Sequence, residues 1–321
     1  MNYEIREGSR SHAKPLIGLY AESGTGKTYS ALLMARGFVG PQGRICMIET
    51  ESGRGEAYAD KNEYPEIGGY DVLSMRDNFS PENYGQAIAA VEKGKYDALI
   101  IDSASHEWEG AGGVLDKAAE NMKTKKGLLV WQEPKISHQK NFMLKFMQTP
   151  LPLVILCMRA KYPMIEVYNE QKGRKEPQRS DILEPKQSED ILYEMFVHGW
   201  IDKAHKFHPT KVTASSLKPV FPDGGMLSIE TGQKLAQWAK GVSATPAQSS
   251  APELTPIQKT TNRIALAIDS CLNAIDLESC WNEDYKDDIA LVQIEKPKFY
   301  DALKTKYDEK MKSFPPDYSQ A

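Results

Sequence analysis

Residues 15–28 read PLIGLYAESGTGKT, and the reading of this stretch decides the fold. Pro15–Tyr20 is a short apolar run that reads as a buried strand, and the glycine-rich residues after it read as a tight turn. Lys27–Gly37 (KTYSALLMARG) follows with small and apolar residues at helical spacing and a terminating glycine, the pattern of a helix. Strand, glycine turn, then Lys-Thr at a helix start is the setting in which backbone N–H groups wrap phosphates. Gly24 and Gly26 permit the close backbone approach that side chains would obstruct. The helix N-terminus adds unsatisfied N–H groups and the positive end of its dipole. Position 21 holds alanine where this motif usually has glycine, so positive φ is not expected there.

Glu22, Ser23, Gly24, Thr25, Gly26, Lys27, Thr28 and Tyr29 are therefore expected to bind a nucleoside triphosphate, ATP with Mg²⁺. Lys27 should reach the β- and γ-phosphates, and the Thr28 hydroxyl should ligate the metal. The bland alternative, a glycine turn before an ordinary helix, is weakened by a second element. Tyr96–Asp102 (YDALIID) is a hydrophobic strand ending in a carboxylate, and Asp102 is the natural second holder of Mg²⁺. Such a run is common by chance and gains meaning only beside the phosphate loop.

Three glutamates are candidates to activate water: Glu49, Glu51 and Glu107. Glu51 lies just past the strand Arg44–Ile48 and is the preferred one, with Glu107 in the loop after Asp102 as second choice. The alternative for all three is surface charge or a helix-start residue. Arg159 and Lys161 follow the apolar run Leu151–Met158 and are candidate cations for the γ-phosphate, in cis or from a neighbouring subunit. Basic residues just beyond strands are also commonly solvated. His106 is a further loop residue within reach of this chemistry, although a lone loop histidine is more often neither ligand nor base.

Outward from the loop, apolar strands alternate with helical segments. Asp71–Met75 and Leu151–Met158 read as strands; Pro81–Gly94, the span between Gly112 and Lys125, and Phe142–Met147 read as helices. This order implies crossover connections and a largely parallel sheet buried on both faces. Met164–Tyr168, Ile201–His208 and Val212–Ser216 carry short-strand signals, with a hairpin or flexible turn at Asn169–Lys175. They are expected as antiparallel edge strands, followed by a helix at Thr231–Lys240. Gly241–Glu253 (GVSATPAQSSAPE) reads as a linker. Beyond it, Ile264, Ile268, Cys271/Leu272 and Ile275, then Phe299, Leu303, Tyr307 and Met311, recur at helical spacing. The expected organisation is an ATPase domain at 1–240, a linker at 241–253 and a small unit of two or three helices at 254–321.

With these elements in hand, the chain resembles the RecA-like ATPases. The phosphate loop, Glu49-Thr50-Glu51, YDALIIDS and LVILCMRAK carry the resemblance over about residues 12–240. The later DILEPKQSEDILYEMFVHGWIDKAHKFHPTKVTASS is similar to short RecA-like proteins encoded by bacteriophages, some tied to single-strand annealing and recombination. The resemblance implies an α/β RecA-like P-loop core and ATP hydrolysis. It places the catalytic glutamate after the second strand, on Glu51. It also implies homo-oligomeric rings or filaments with ATP near subunit interfaces, making Lys161 a candidate to act in trans.

The formal net charge of -4 gives no global basic field for nucleic acid. Local basic patches remain: Lys123, Lys125 and Lys126 flanking one predicted loop region, Lys172, Arg174, Lys175 and Arg179 flanking another, and a third around Lys203–Lys206. Trp131, Tyr162 and Tyr168 are candidates to stack on bases. Taken singly, each patch is more simply a solvated loop. Together they fit single-stranded DNA as a partner, in phage recombination or replication. The runner-up is a nucleotide-dependent regulatory protein that docks a protein partner through its helical tail. A small-molecule kinase fits less well, because KGRKEPQR is the only weak candidate for an arginine-rich lid. Four cysteines without metal-ligand spacing fit a reducing compartment, although Cys271 and Cys280 could pair in principle. The N-terminus lacks a signal-peptide core, and no apolar run is long enough to span a bilayer. A cytoplasmic location, the host's if phage-encoded, and no membrane partner are the expectations.

Overall fold

Six consecutive buried residues, Leu16–Ala21, form β1, an interior strand of the main sheet. A computed structural model describes residues 7–10, 13–169, 172–241, 256–271 and 273–314. After β1 the chain runs through α1 (Lys27–Val39), β2 (Ile45–Glu49), β3 (Asp71–Ser74), α2 (Pro81–Lys93) and β4 (Ala98–Asp102). It continues through α3 (Ser105–Glu109), α4 (Val114–Asn121), α5 (Leu129–Ser137), a π-turn (His138–Met143), α6 (Leu144–Gln148) and β5 (Leu153–Lys161). The hairpin β6 (Met164–Asn169) and β7 (Arg174–Arg179) follows, then β8 (Glu184–Pro185), α7 (Glu189–Glu194), β9 (Val197–Ile201), β10 (Phe207–Val212) and α8 (Ile229–Ala239).

The main sheet has the order β10-β9-β1-β5-β4-β2-β3, with β8 paired to β5. Strands β9, β1, β5, β4, β2 and β3 are all parallel, while β10 and β8 are antiparallel to their neighbours. This is the mixed α/β architecture expected of a RecA-like core. Strand β5 lies between the strand feeding the phosphate loop and β4, which ends in Asp102. The register aligns Ala21 with Arg159, Cys157 with Asp102, and Asp102 with Glu49. The C-terminal ends of four strands therefore converge on one edge, where ligands of open α/β sheets bind.

Each face of the sheet has its own apolar layer, which explains why the strands read as continuous hydrophobic runs. One layer packs Ile17, Leu19, Met47, Ile100 and Ile155 under α1 and α8. The other packs Tyr20, Ile48, Leu99, Leu156 and Met158 against α2 and α6. Helices α1 and α8 approach closely, since a Cβ at Gly37 would meet the Ile229 carbonyl oxygen at 1.9 Å. Helix α2 starts at Pro81 with the Ser80 side chain accepting from the Asn83 N–H, a side-chain cap that agrees with the predicted start.

Several expectations are corrected. Ile201–His208 is not a strand: Ile201 ends β9, and the chain turns before β10 begins at Phe207. Val212–Ser216 is likewise the end of β10 followed by a 3₁₀ turn at Ser215–Leu217. The β6–β7 hairpin forms as read, from Met164 opposite Arg179 to Asn169 opposite Arg174, but as a separate two-stranded sheet. Helix α5 appears where no element was expected, carrying Pro134 inside it.

The chain divides into two compact units, Met1–Ala244 and Thr245–Ala321. The predicted linker, from residue 242 onward, lies outside the described residues. In the second unit four α-helices are described, where two or three helices were expected: α9 (Pro256–Ser270), α10 (Ala274–Ser279), α11 (Lys286–Glu295) and α12 (Pro297–Ser313). Ile264, Ile268, Leu277, Val292 and Leu303 form its core, with Cys271 and Cys280 as buried free thiols. Ile275, read as a core position, is instead 71% exposed. Leu272 lies outside the described residues.

Candidate active site

The end of β1 and the start of α1 are joined by a loop held by its own atoms. The Thr25 hydroxyl donates to the Glu22 carbonyl at 3.0 Å, and Lys27 Nζ donates to the same carbonyl at 3.2 Å. Gly24 and Gly26 both adopt positive φ, 83° and 90°, so glycine is required at both positions. A Cβ on Gly24 would meet no protein atom within 4 Å, which leaves the backbone open to a close-fitting anion. Ala21 ends β1 as a buried strand residue, as expected for a position without positive φ.

Ser23, Gly24, Gly26, Lys27, Thr28 and Tyr29 line a cavity of about 670 Å³, together with Glu51 and Asp102 from the ends of β2 and β4. Glu22 and Thr25 shape the loop without lining this cavity. The Thr28 hydroxyl donates to Asp102 Oδ2 at 2.5 Å. Burial pushes the Asp102 carboxyl up to about 6, opposed by the Thr28 hydrogen bond. A buried carboxylate beside a hydroxyl is a hard-oxygen donor pair suited to Mg²⁺. The loop and this pair thus fit a magnesium-bound triphosphate, with Lys27 and α1 supplying the positive charge. When bound, the metal would neutralise phosphate charge and polarise the phosphoryl oxygens.

Glu49 and Glu51 differ sharply in setting. Glu49 is fully buried at the end of β2, where Oε1 accepts from the Glu51 N–H at 2.7 Å. Its other oxygen has Arg76 at 3.8 Å. It thus braces the backbone turn that carries Glu51. Glu51 reaches the cavity and has Arg54 at 3.4 Å and Arg159 at 3.6 Å. Arg159 also lies 3.7 Å from Glu109.

Not every candidate joins this cluster. Glu107 is buried away from it, with Oε1 2.9 Å from His138 Nδ1 and Oε2 accepting from Gln187 at 3.2 Å. Lys161 lines a second cavity of about 520 Å³ with Trp108, Lys186, His198 and Lys211. Lys123, Lys125 and Lys126 lie between α4 and α5, with Lys125 paired to Glu133 at 3.0 Å. Lys172, Arg174 and Lys175 sit on the β6–β7 hairpin, and the Arg179 guanidinium lies 4.6 Å over the Tyr162 ring. Tyr168 is exposed on this hairpin, whereas Trp131 is half-buried in α5.

Other residues at the cavity carried no sequence signal. Tyr58 and Tyr64 line it beside Tyr29, with the three rings 5.3–6.0 Å apart and Tyr29 donating to Glu66 at 2.6 Å. That bond pushes the Tyr29 phenol up to about 12. Met226 and Leu227 add an apolar wall. His205, in the β9–β10 turn, has Nδ1 2.9 Å from the Thr25 carbonyl and so clasps the phosphate loop. These residues reach the cavity through tertiary contacts.

No described helix is long and apolar enough to cross a membrane. No curated protein matches the chain. Among solved structures it is similar to a KaiC-like protein of Pyrococcus horikoshii OT3, at 13% identity and a TM-score of 0.29. That match covers 62% of this chain and 79% of the other. An ATPase from the type III secretion system of pathogenic bacteria matches at 12% identity and a TM-score of 0.36, covering 92% and 79%. Both likenesses are too loose to carry an argument. A family model described as an AAA domain matches residues 13–196, more than half of the chain. The matched segment holds the phosphate loop, Glu51, Asp102 and Arg159, and on this ground the chain belongs to the AAA domain family and is a P-loop ATPase.

Proposed function

We propose that the protein is an oligomeric ATPase that hydrolyses Mg²⁺-ATP at Lys27, Thr28, Asp102 and Glu51 and acts on single-stranded DNA. The observation that carries the hydrolytic part is the convergence of these four side chains on one cavity of about 670 Å³. Lys27 and the N–H groups of the loop bind the phosphates, and Thr28 and Asp102 hold the metal. Glu51 orients water and receives its proton, and the three tyrosines and Leu227 offer a surface for the base. Lys161, exposed at the end of β5 and outside this cavity, is assigned to a neighbouring subunit's nucleotide in a ring or filament.

The DNA part draws on the β6–β7 hairpin. Met164, Ile165 and Tyr168 are exposed on it beside Lys172, Arg174, Lys175 and Arg179, a combination of stacking surface and phosphate-binding charge. The resemblance to short RecA-like phage proteins supports recombination or replication as the setting, and a host cytoplasmic location with it. A second reading rests on the helical unit, where Ile275 and Ile294 are 71% and 80% exposed. These side chains suit a protein partner, with the nucleotide acting as a switch. ATP turnover with and without single-stranded DNA, combined with a mass measurement of the assembly, separates the two. Stimulation of turnover by DNA in an oligomer supports the first reading. No DNA effect, with partner capture lost on removing the helical unit, supports the second.

A further inference from the structure

Between Glu51 and α3 runs a chain of contacts that the ATPase reading leaves unused. His106 Nδ1 lies 2.8 Å from Thr50 Oγ1, and Nε2 lies 3.3 Å from Arg159 Nη1. Arg159 in turn faces Glu51 and Glu109. The proton position follows from donor chemistry. A guanidinium only donates, so Nε2 must accept from Arg159 and the ring proton must sit on Nδ1. There it donates to Thr50 Oγ1, which also accepts from the Ser103 N–H at 2.8 Å. The Phe79 ring packs against the imidazole at 5.0 Å and limits its rotation. Burial and the Arg159 charge both lower the affinity of His106 for a proton, which keeps the acceptor available near neutral pH.

The geometry points to His106 as a positioning residue for hydrolysis: a neutral imidazole, fixed by Thr50, that aims Arg159 and through it holds the Glu51 carboxylate towards the nucleotide cavity. Thr50 lies between Glu49 and Glu51, so the same imidazole also ties the turn carrying Glu51 to the backbone after Asp102. Strand β2, the loop after β4 and the end of β5 are thereby locked at one point. The inference rests on Glu51 acting as the base.

Three substitutions separate positioning from bulk structure. His106→Asn keeps a donor near Nδ1 for Thr50 but removes the acceptor for Arg159. His106→Gln places an amide oxygen near Nε2, where it can accept from Arg159. His106→Ala removes both. The expected result is a fall in kcat of about tenfold or more for Ala and Asn, with ATP affinity within about twofold of wild type. Gln should recover most of the rate. In a Glu51→Gln background, His106→Ala should cause no further loss, because both changes remove one function. Unchanged kcat in the Ala and Asn variants, or equal kcat in folded Asn and Gln variants, overturns the inference. If Ala does not fold, the Asn–Gln comparison decides alone. Normal turnover by Glu51→Gln in the wild-type background would instead overturn the underlying assignment of the base.

Discussion

The Thr28 hydroxyl donates to the Asp102 carboxylate across 2.5 Å, joining the first turn of α1 to the end of β4 although 74 residues separate them. Strand β5 lies between β1 and β4, so this bond spans the inserted strand at the edge where the strand ends converge. The pair brings together two sequence motifs, each of which carries only half of the proposed metal site.

Asp102 should cost the ligand-free protein stability. Its folded-state value of about 6 lies above the ordinary 3.8, so the fold favours the protonated acid. That contribution is present in full below the ordinary value and is lost as pH rises through about 6. At pH 8 the buried charge costs roughly 3 kcal/mol. Asp102→Asn should therefore raise the melting temperature by several degrees at pH 8 without nucleotide or metal, and by less at pH 5.5. The same variant should lose Mg²⁺-dependent turnover. Equal gains at both pH values would contradict the assignment.

Glu51→Gln should keep ATP binding while slowing hydrolysis about 10²-fold or more, since an amide cannot take the proton from water. Rapid-quench turnover alongside an equilibrium binding measurement distinguishes this from lost affinity. A normal rate would transfer the role elsewhere. Glu107 is a poor successor, because His138 and Gln187 already engage its two oxygens inside the protein.

His198 should make the protein acid-sensitive. It lies buried on β9 with Nδ1 lacking a partner among the described residues, and burial plus nearby Lys211 hold its value down to about 4. A depressed base contributes stability above the ordinary 6.5 that is lost as pH falls towards 4. After allowance for solvent screening the effect is about 1–2 kcal/mol. Denaturant midpoints measured from pH 7 to 4.5 should fall less steeply for His198→Asn. A slope identical to wild type would show that other groups set the acid limb.

Replacing Arg174 and Lys175 with alanine should weaken single-stranded DNA binding and flatten its salt dependence by about one unit of log–log slope per lost phosphate contact. Fluorescence anisotropy across a salt series reads both. Unchanged affinity and slope would remove the hairpin from the DNA reading.

The elements legible in the sequence are those whose signal is local. Strands β1, β4 and β5 are buried on both faces and therefore read as unbroken apolar runs, and the phosphate loop is contiguous. Strand β9 is not legible in the sequence because VHGWI carries a histidine and a glycine in place of branched apolar residues. Helix α5 was obscured by Pro134, and Ile275 kept the helical period while facing solvent. The site divides the same way. Lys27, Thr28, Asp102 and Glu51 sit at motif positions or strand ends. The clasp of His205 on Thr25, the tyrosines against Tyr29, and the Arg159 contacts depend on which strand ends the sheet order brings together, and no spacing along the chain encodes that.

The most direct test of the central claim is steady-state ATP hydrolysis by Lys27→Ala, with the fold checked by circular dichroism. Lys27 is the only lysine lining the cavity among the described residues, and it supplies the flexible positive charge beside the loop. Turnover should fall by about 10²-fold or more with the fold retained. Turnover and ATP affinity equal to wild type would contradict the site.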